Sequence, residues 1–579
     1  MKKQKLLVLL LLVSLFFVGC SQPQINEEDN GATNTVIEEE VVGKTEEIEI
    51  VDDAVQTSFS LVDDNNSAVK AVDGIYTINK AGAYTASGKL ENGQIYVNAP
   101  ELEVEIELND VSITNNNVSP IFVKDCSKIT IKVKKGTTNY IYDNRTVDYS
   151  TTTDDSIGTA AIYVANGDLK VNGKGTLSIT SLYNSGIHGK DNVTIKNCTM
   201  LIKAMNNGIK GNDKVTIEED PTIGIVCGNN GIRTSNSEQG SSAQHGYIYI
   251  NGGTITINSY GDGIDAAYAV EIGTSTDEEG NLYIPVIDIY TNKYSSYTKV
   301  DEESSSTSLT TVGLVEVGGP SGSGGGPRPG GGFNGGGFGG GSSAEKADDS
   351  AKGIKANELI NITAGEIYIY AYDDGIHTNN DKLDTGVTAK ANIIISGSTI
   401  NIKASDDGIH ADGSLTISGG NVTVIQSHEG LEGKIINIQG GTSIVVGDDD
   451  GVNASSAINI SGGVLDVTVS PNGDTDGIDS NGTITISGGV TITRGPNSDM
   501  MAPLDADGTM KMMGGTLIVI GYSPRKLNYS GVTKTTLSGG LTSGTHTVTI
   551  GSQTITYNNA YTYKGSCTVY GSGTATVNW

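Results

Sequence analysis

Little in this sequence could build a thick hydrophobic core. Tryptophan occurs once, at the final position, and only 36% of the 579 residues are apolar while 78 are glycine. That is thin for a layered globule, whereas a core one coil wide needs few large side chains. Sustained helical periodicity is absent outside the first twenty residues, which excludes a helical bundle. Beyond Cys20, the cysteines Cys126, Cys198, Cys227 and Cys567 show no CxxC spacing, so zinc and redox motifs are excluded and they read as core hydrophobes. Positive charge is also short: 37 Lys and Arg against 67 Asp and Glu leave a formal charge of −30, which disfavours a nucleic-acid partner. Phosphate-binding loops are missing as well, because no glycine-rich stretch carries the GK[ST] ending between a strand and a helix.

What is present is a repeat. The phrase runs NSGIH from Asn184, NNGIK from Asn206, NNGIR from Asn229, GDGID from Gly261, KGIK from Lys352, DDGIH from Asp373 and Asp406, HEGLE from His428, DDGVN from Asp449 and TDGID from Thr475, with APLDAD from Ala502 as a last echo. The central apolar residues, Ile187 to Leu504, are spaced by 21 to 26 positions, with 32 and 33 at two longer loops and 90 across one insertion. Fixed-period self-similarity of this length marks a solenoid. After each phrase comes an alternating strand, a Gly-Gly corner and a second strand, as in SLTISGGNVTVI from Ser414 and TITISGGVTIT from Thr483. Ile417, Ile438, Ile460, Ile486 and Met512 share one position of the register. Period-2 patterning with β-branched residues means strands, so each repeat predicts one coil of two or three strands stacked in parallel about 4.8 Å from the next. The glycine before each apolar anchor, Gly186 through Gly477, is expected where a sharp corner favours a residue without Cβ.

The two ends and one internal segment differ. Lys2, Lys3 and Lys5 precede an apolar run from Leu6 to Val18, and Phe17-Val18-Gly19-Cys20 resembles a bacterial lipoprotein box, which implies lipidation of Cys20 and an exported, membrane-anchored protein. No later stretch is long and apolar enough to span a bilayer. Between Ile25 and Asp53 stand eleven acids and one lysine, the composition of a solvated tether. The core GSGGGPRPGGGFNGGGFGGG within Gly318 to Ser343 reads as a flexible loop. The expected organisation is a signal peptide over 1–20, a tether over 21–53, a solenoid over 54–523 interrupted at about 300–345, and a small β cap over 524–579.

Chemistry enters through stacked columns. Two residues before the anchor the series is Asn207, Asn230, Asp262, Lys352, Asp374, Asp407, Glu429, Asp450, Asp476; one residue after it, Lys210, Arg233, Asp265, Lys355, His377, His410, Glu432, Asn453, Asp479, Asp505. Early coils are neutral to basic. Late coils are acidic, thickened by Asp373, Asp406, Asp412, Asp448, Asp449 and Asp507. Two carboxylates about 5 Å apart at an effective dielectric near 20 repel by about 3 kcal/mol, so the ladder needs protons, solvent or a cation. Ca²⁺, which takes six to eight oxygens in flexible geometry, suits it; Asx-turn carboxylates capping corners are the alternative. The spacing of an EF-hand and the GGxGxD calcium-roll pattern are both absent.

A chain with a lipobox, GIH and GID coils, ISGG corners and an internal Gly-rich insertion resembles the bacterial carbohydrate-binding β-helix family whose fold is similar to pectate-cleaving polysaccharide lyases. The resemblance covers roughly Ile50 to Ser523 and is most specific over DDGIHADGSLTISGGNVTV from Asp406. It implies an all-β, right-handed parallel β-helix, bound calcium, and affinity for cellulose-like and acidic cell-wall polysaccharides without established lyase chemistry. As a binding module the chain would offer Tyr368, Tyr370 and Tyr372, alternating along one strand, as stacking platforms. As a calcium-dependent lyase acting by β-elimination on uronates it would need an unprotonated base, for which Lys355 or Lys434 are the candidates. A surface adhesin or structural rod needs only the tether and the stack.

Overall fold

The computed structural model describes residues 59–145, 155–239, 244–292, 350–380, 390–473 and 475–578. The leader with Cys20, the acidic tether and the Gly-rich insertion lie outside the described residues. Within them the chain forms 45 strands and no α-helix, as the period-2 patterning requires. Each coil contributes to three parallel ladders. The first holds the GI phrase: Ile187 pairs with Ile209, then Ile232, Ile264, Ile354, Ile376, Ile409, Leu431, Val452 and Ile478, with Leu504 joined by an isolated bridge. Ile264 pairs directly with Ile354, so coil register continues across the 90-position gap. The second ladder carries Ile417, Ile438, Ile460, Ile486 and Met512 in one row. Strands such as Asn421–Gln426 and Thr442–Val446, after the Gly-Gly corner, make the third.

The core follows from this geometry. Alternate residues of all three ladders point inward, and Ile209, Ile232, Ile376, Ile417 and Ile438 have no exposed surface. Burying an Ile side chain stabilises by about 1.5–3 kcal/mol, and the rows from the three ladders together fill the core with little aromatic bulk. Cys126, Cys198, Cys227 and Cys567 are buried and unbridged, occupying apolar positions.

The anchor glycines are required for a different reason from a sharp turn. Their backbone does not enter the left-handed region; instead the N–H of each anchor from Ile187 to Val452 donates to the carbonyl of the next coil's glycine, as from Ile232 to Gly263 at 3.0 Å. A Cβ on Gly231 would lie 2.6 Å from that Gly263 carbonyl and 2.3 Å from the Ile257 Cγ2 methyl. The second glycine of the ISGG corners is the conformational one, with φ of +73° at Gly463.

At the C-terminal end the parallel stack runs to the pairing of Met510–Met512 with Leu527–Tyr529, slightly beyond the expected boundary at 523. It then gives way to antiparallel pairing: Ser566–Gly571 lies between Thr516–Gly521 and Thr533–Leu537, and Gly544–Ile550, Gln553–Asn559 and Ala575–Asn578 form a separate three-stranded sheet. A second buried cluster, including Ile518, Val548, Tyr557 and Val569, joins this cap to the last coil. At the other end, Ser60–Asp63 pairs antiparallel with Gly82–Leu90. Both ends therefore block the open strand edges that a stack would otherwise present.

Gly231→Ala tests the corner. Overpacking of this kind costs on the order of 1–3 kcal/mol, so the melting temperature is expected to fall measurably. An unchanged melting curve would show that the corner has the slack these distances deny.

Candidate functional site

The residue two before each anchor sits where one coil turns into the first ladder. There its side-chain oxygen accepts the backbone N–H of the equivalent residue one coil on: Asn230 Oδ1 from Asp262 at 2.9 Å, Asp262 Oδ1 from Lys352 at 2.8 Å, Asp374 Oδ1 from Asp407 at 3.1 Å, Asp407 Oδ1 from Glu429 at 3.2 Å and Asp450 Oδ1 from Asp476 at 2.8 Å. Asp476 does the same for Ala502. A short side chain with an acceptor oxygen satisfies a backbone donor here, which explains why Asn and Asp share the column. For Asp the second oxygen is left over, and it is this oxygen that makes the site.

That surplus is concentrated around His377 and His410. The two residues pair across adjacent coils, and their rings stack with centroids 4.4 Å apart and planes 7° from parallel. Asp374 Oδ2 lies 2.6 Å from His377 Nδ1; Asp407 Oδ2 and Glu432 Oε2 lie 3.2 and 3.0 Å from His410 Nδ1; Asp412 Oδ1 stands 3.5 Å from both Nε2 atoms. His377 is 5% exposed, yet neither of its ring nitrogens has a neighbour in hydrogen-bonding geometry. Buried Glu429 Oε2 is likewise unsatisfied. Ligand-capable atoms converge in three groups: Asp374, His377 and His410; Asp407, His410 and Glu432; and Asp373, Asp374 and Asp406. The last, all-oxygen group already has a cation beside it, because Lys352 Nζ pairs with Asp373 Oδ2 at 2.9 Å and with Asp374. Lys352 is the residue whose task the column pattern does not disclose: nine-tenths buried, it acts as a counter-ion from the preceding coil.

The electrostatics fit a site short of positive charge. Burial, with Glu432 and Asp407 nearby, pushes Glu429 up to about 9. Burial and the neighbouring Asp476, Asp449 and Asp479 raise Asp450 to about 7, and burial with Asp505 raises Asp479 to about 6. Against burial, hydrogen bonding to Asp407 and Glu432 raises His410 to about 11. The arrangement can hold itself together in two ways, by protonated imidazoles between carboxylates or by a divalent ion replacing those protons.

Other residues of the ladder are placed differently. Asp265 faces Arg233 at 3.3 Å and Asn230 at 2.9 Å, and Asp262 accepts from Ser350 at 2.8 Å, so both sit among donors of the basic coils, outside the convergent groups. Asp449 faces His428 at 3.7 Å, while Asp448 and Asp507 are exposed. Lys355 is an ion-pair partner of Asp262 at 3.7 Å, and Lys434 is exposed. Tyr368 and Tyr372 are exposed, at 37% and 43%, but Tyr372 lies past the end of strand Glu366–Ala371, and Tyr370 stacks on Tyr290 at 5.3 Å.

A family model described as carbohydrate-binding domain-containing protein matches residues 72–384 and 380–432, more than half of the chain. The chain belongs to this family. A carbohydrate-binding domain-containing protein of Acetivibrio thermocellus is 32% identical over 213 residues, 37% of this chain and 72% of that protein. A solved structure, that of the polysaccharide lyase-like protein from C. thermocellum as a gadolinium derivative, is 30% identical, covers 41% of this chain and 92% of its own, and has a TM-score of 0.34. Within the carbohydrate-binding domain match fall all three convergent groups, through Glu432; Asp448 to Asp507 lie beyond it.

The basic coils of the same column begin at His188, buried, with Nδ1 2.6 Å from Thr159 Oγ1 and Nε2 3.1 Å from Asn212 Oδ1. Burial, with Lys210 adding to it, pushes the imidazole down to about 4 from 6.5. The unfolded chain therefore binds this proton first, and stability is lost as pH falls from about 6.5 towards about 4. His188→Gln is expected to flatten that part of the melting-temperature profile while leaving pH 8 unchanged. A parallel decline in both proteins would remove His188 as its source.

Proposed function

We propose that this carbohydrate-binding domain protein is a non-catalytic, cell-surface binder of plant cell-wall-type polysaccharides, cellulose-like or acidic and pectin-like, and that divalent cations on the late coils take part. The observation that carries the reading is the column itself: one polar group per coil, in register, with spare carboxylate oxygens and imidazoles gathered over successive coils. An extended pyranose chain advances by roughly one strand spacing per sugar, about 4.8 Å, so neighbouring coils can meet neighbouring sugars. Calcium would be held where carboxylates crowd without imidazole, among Asp450, Asp476, Asp479 and Asp505, and would link them to uronate carboxylates. At His377 and His410 the mixed donor set favours an ion that accepts nitrogen as well as oxygen. The proposed winding is a right-handed parallel β-helix, the hand that parallel crossover connections prefer. The charged, apolar and Gly-Cys sequence of the leader supports export and lipid anchoring through Cys20.

Chelation is the first test. Binding to the native state stabilises by mass action, so excess EDTA is expected to lower the melting temperature; Asp450→Asn with Asp479→Asn is expected to blunt its restoration by calcium, and Asp407→Asn with His410→Ala its restoration by zinc. Metal analysis reading zero with an EDTA-insensitive melt would sink the cation. Glycan retention is the second. Affinity electrophoresis in polygalacturonate is expected to retard the protein, with the cation-bridged part lost in chelator, and no unsaturated product is expected to accumulate. Product formation abolished by Lys355→Ala or Lys434→Ala would establish the lyase instead, and no retention on any glycan would favour an adhesin.

A further inference from the structure

The acidic character of the chain stops abruptly. After Asp507 no Asp or Glu occurs, while Lys511, Arg525, Lys526, Lys534 and Lys564 remain, in a protein whose formal charge is −30. This segment lies wholly beyond the carbohydrate-binding family match, which ends at residue 432. Where the last parallel coil meets the antiparallel cap, it forms an open pocket of about 440 Å³ whose lining includes Tyr522, Arg525, Tyr529, Lys534 and Tyr570. The Arg525 guanidinium sits 5.1 Å from the Tyr522 ring centroid, and Lys534 Nζ 5.6 Å from that of Tyr570. Tyr529 meets Tyr570 edge to face at 5.2 Å and is itself 47% exposed. Among the described residues no carboxylate pairs with Arg525 or Lys534, and the Tyr522 hydroxyl is buried without a hydrogen-bond partner.

These features specify a ligand. Two cations over aromatic faces, with no acid in the lining, favour an anion; the planar guanidinium suits a carboxylate, and exposed Tyr rings suit the flat, C–H-bearing face of a sugar. The volume is within the range of small-molecule sites. We propose that this junction is a second binding site, for a carboxylate-bearing sugar residue, and that it works without a metal ion. Arg525 and Lys534 take the carboxylate, Tyr529 packs on the ring, and the Tyr522 hydroxyl supplies a polar contact at the pocket wall. Only the choice of a sugar as the ring rests on the carbohydrate-binding reading. The metal independence separates this site from the cation-dependent column.

Isothermal titration calorimetry of the mature chain with trigalacturonate, in EDTA throughout, tests it. Expected is saturable binding that weakens as salt rises, falls at least tenfold in Arg525→Ala with Lys534→Ala and several-fold in Tyr529→Ala, and is unchanged in Asp407→Asn with His410→Ala. The substituted side chains are exposed, so melting temperatures should match the parent and serve as the folding control. No heat in EDTA, or binding indifferent to the Arg525 and Lys534 changes, would overturn the site. Equal binding of polyglutamate would reduce it to a basic patch, and tighter binding of a sulfated trisaccharide would overturn the carboxylate assignment. Loss of the chelator-sensitive retention, with this titration intact, would refute the column and leave the pocket standing.

Discussion

The close approach of one coil to the next at the first-ladder corner is the constraint on which the rest depends. There the anchor N–H reaches a glycine carbonyl of the following coil, from Ile187 to Gly208 at 3.1 Å and on to Val452 and Gly477 at 3.1 Å. A side chain on the glycine would stand against that carbonyl, so the anchor glycine recurs in every coil of the series. Once this contact is made, the residue before the glycine is held near the backbone of its successor. An acceptor two atoms from the main chain can then reach the next N–H. Both the regularity of the stack and the position of the Asn and Asp column follow from that one contact.

The same contact sets the chemistry. A structural acceptor needs only one oxygen, which Asn provides in the basic coils at Asn207 and Asn230. Asp374 and Asp407 fulfil the same task and keep a second oxygen in reserve, against His377 and His410 respectively. Replacing Asn by Asp therefore keeps the backbone acceptor and adds an ionisable oxygen at a pre-positioned, largely buried point. Function could be added to this stack coil by coil without altering its register.

Much of this is legible in the sequence because periodicity encodes register. The spacing of the GI phrase assigns Ile187 to Ile478 to one ladder, and the row from Ile417 to Met512 to another, as their pairing bears out. The post-anchor column reads correctly too, Lys355 beside His377 beside His410 beside Glu432. What a repeat does not encode is which of a carboxylate's oxygens is already engaged, or which neighbour supplies a counter-charge. Asp262 and Asp374 have the same place in the pattern, yet one sits among Ser350 and Lys355 and the other between Lys352 and His377. The Tyr372 ring shows a further limit, since strand alternation predicts its face but not that the strand ends at Ala371.

The cap is illegible for the opposite reason. It does not repeat, so Tyr570 reaches Tyr522 and Tyr529 through an antiparallel pairing that no period announces. Its one advance signal is compositional: the disappearance of acids after Asp507. In a strongly acidic chain, a local excess of cations draws anionic ligands to one end, while the carboxylate coils repel them unless a cation intervenes. An anionic polymer held at the cap would lie beside coils it cannot approach without metal.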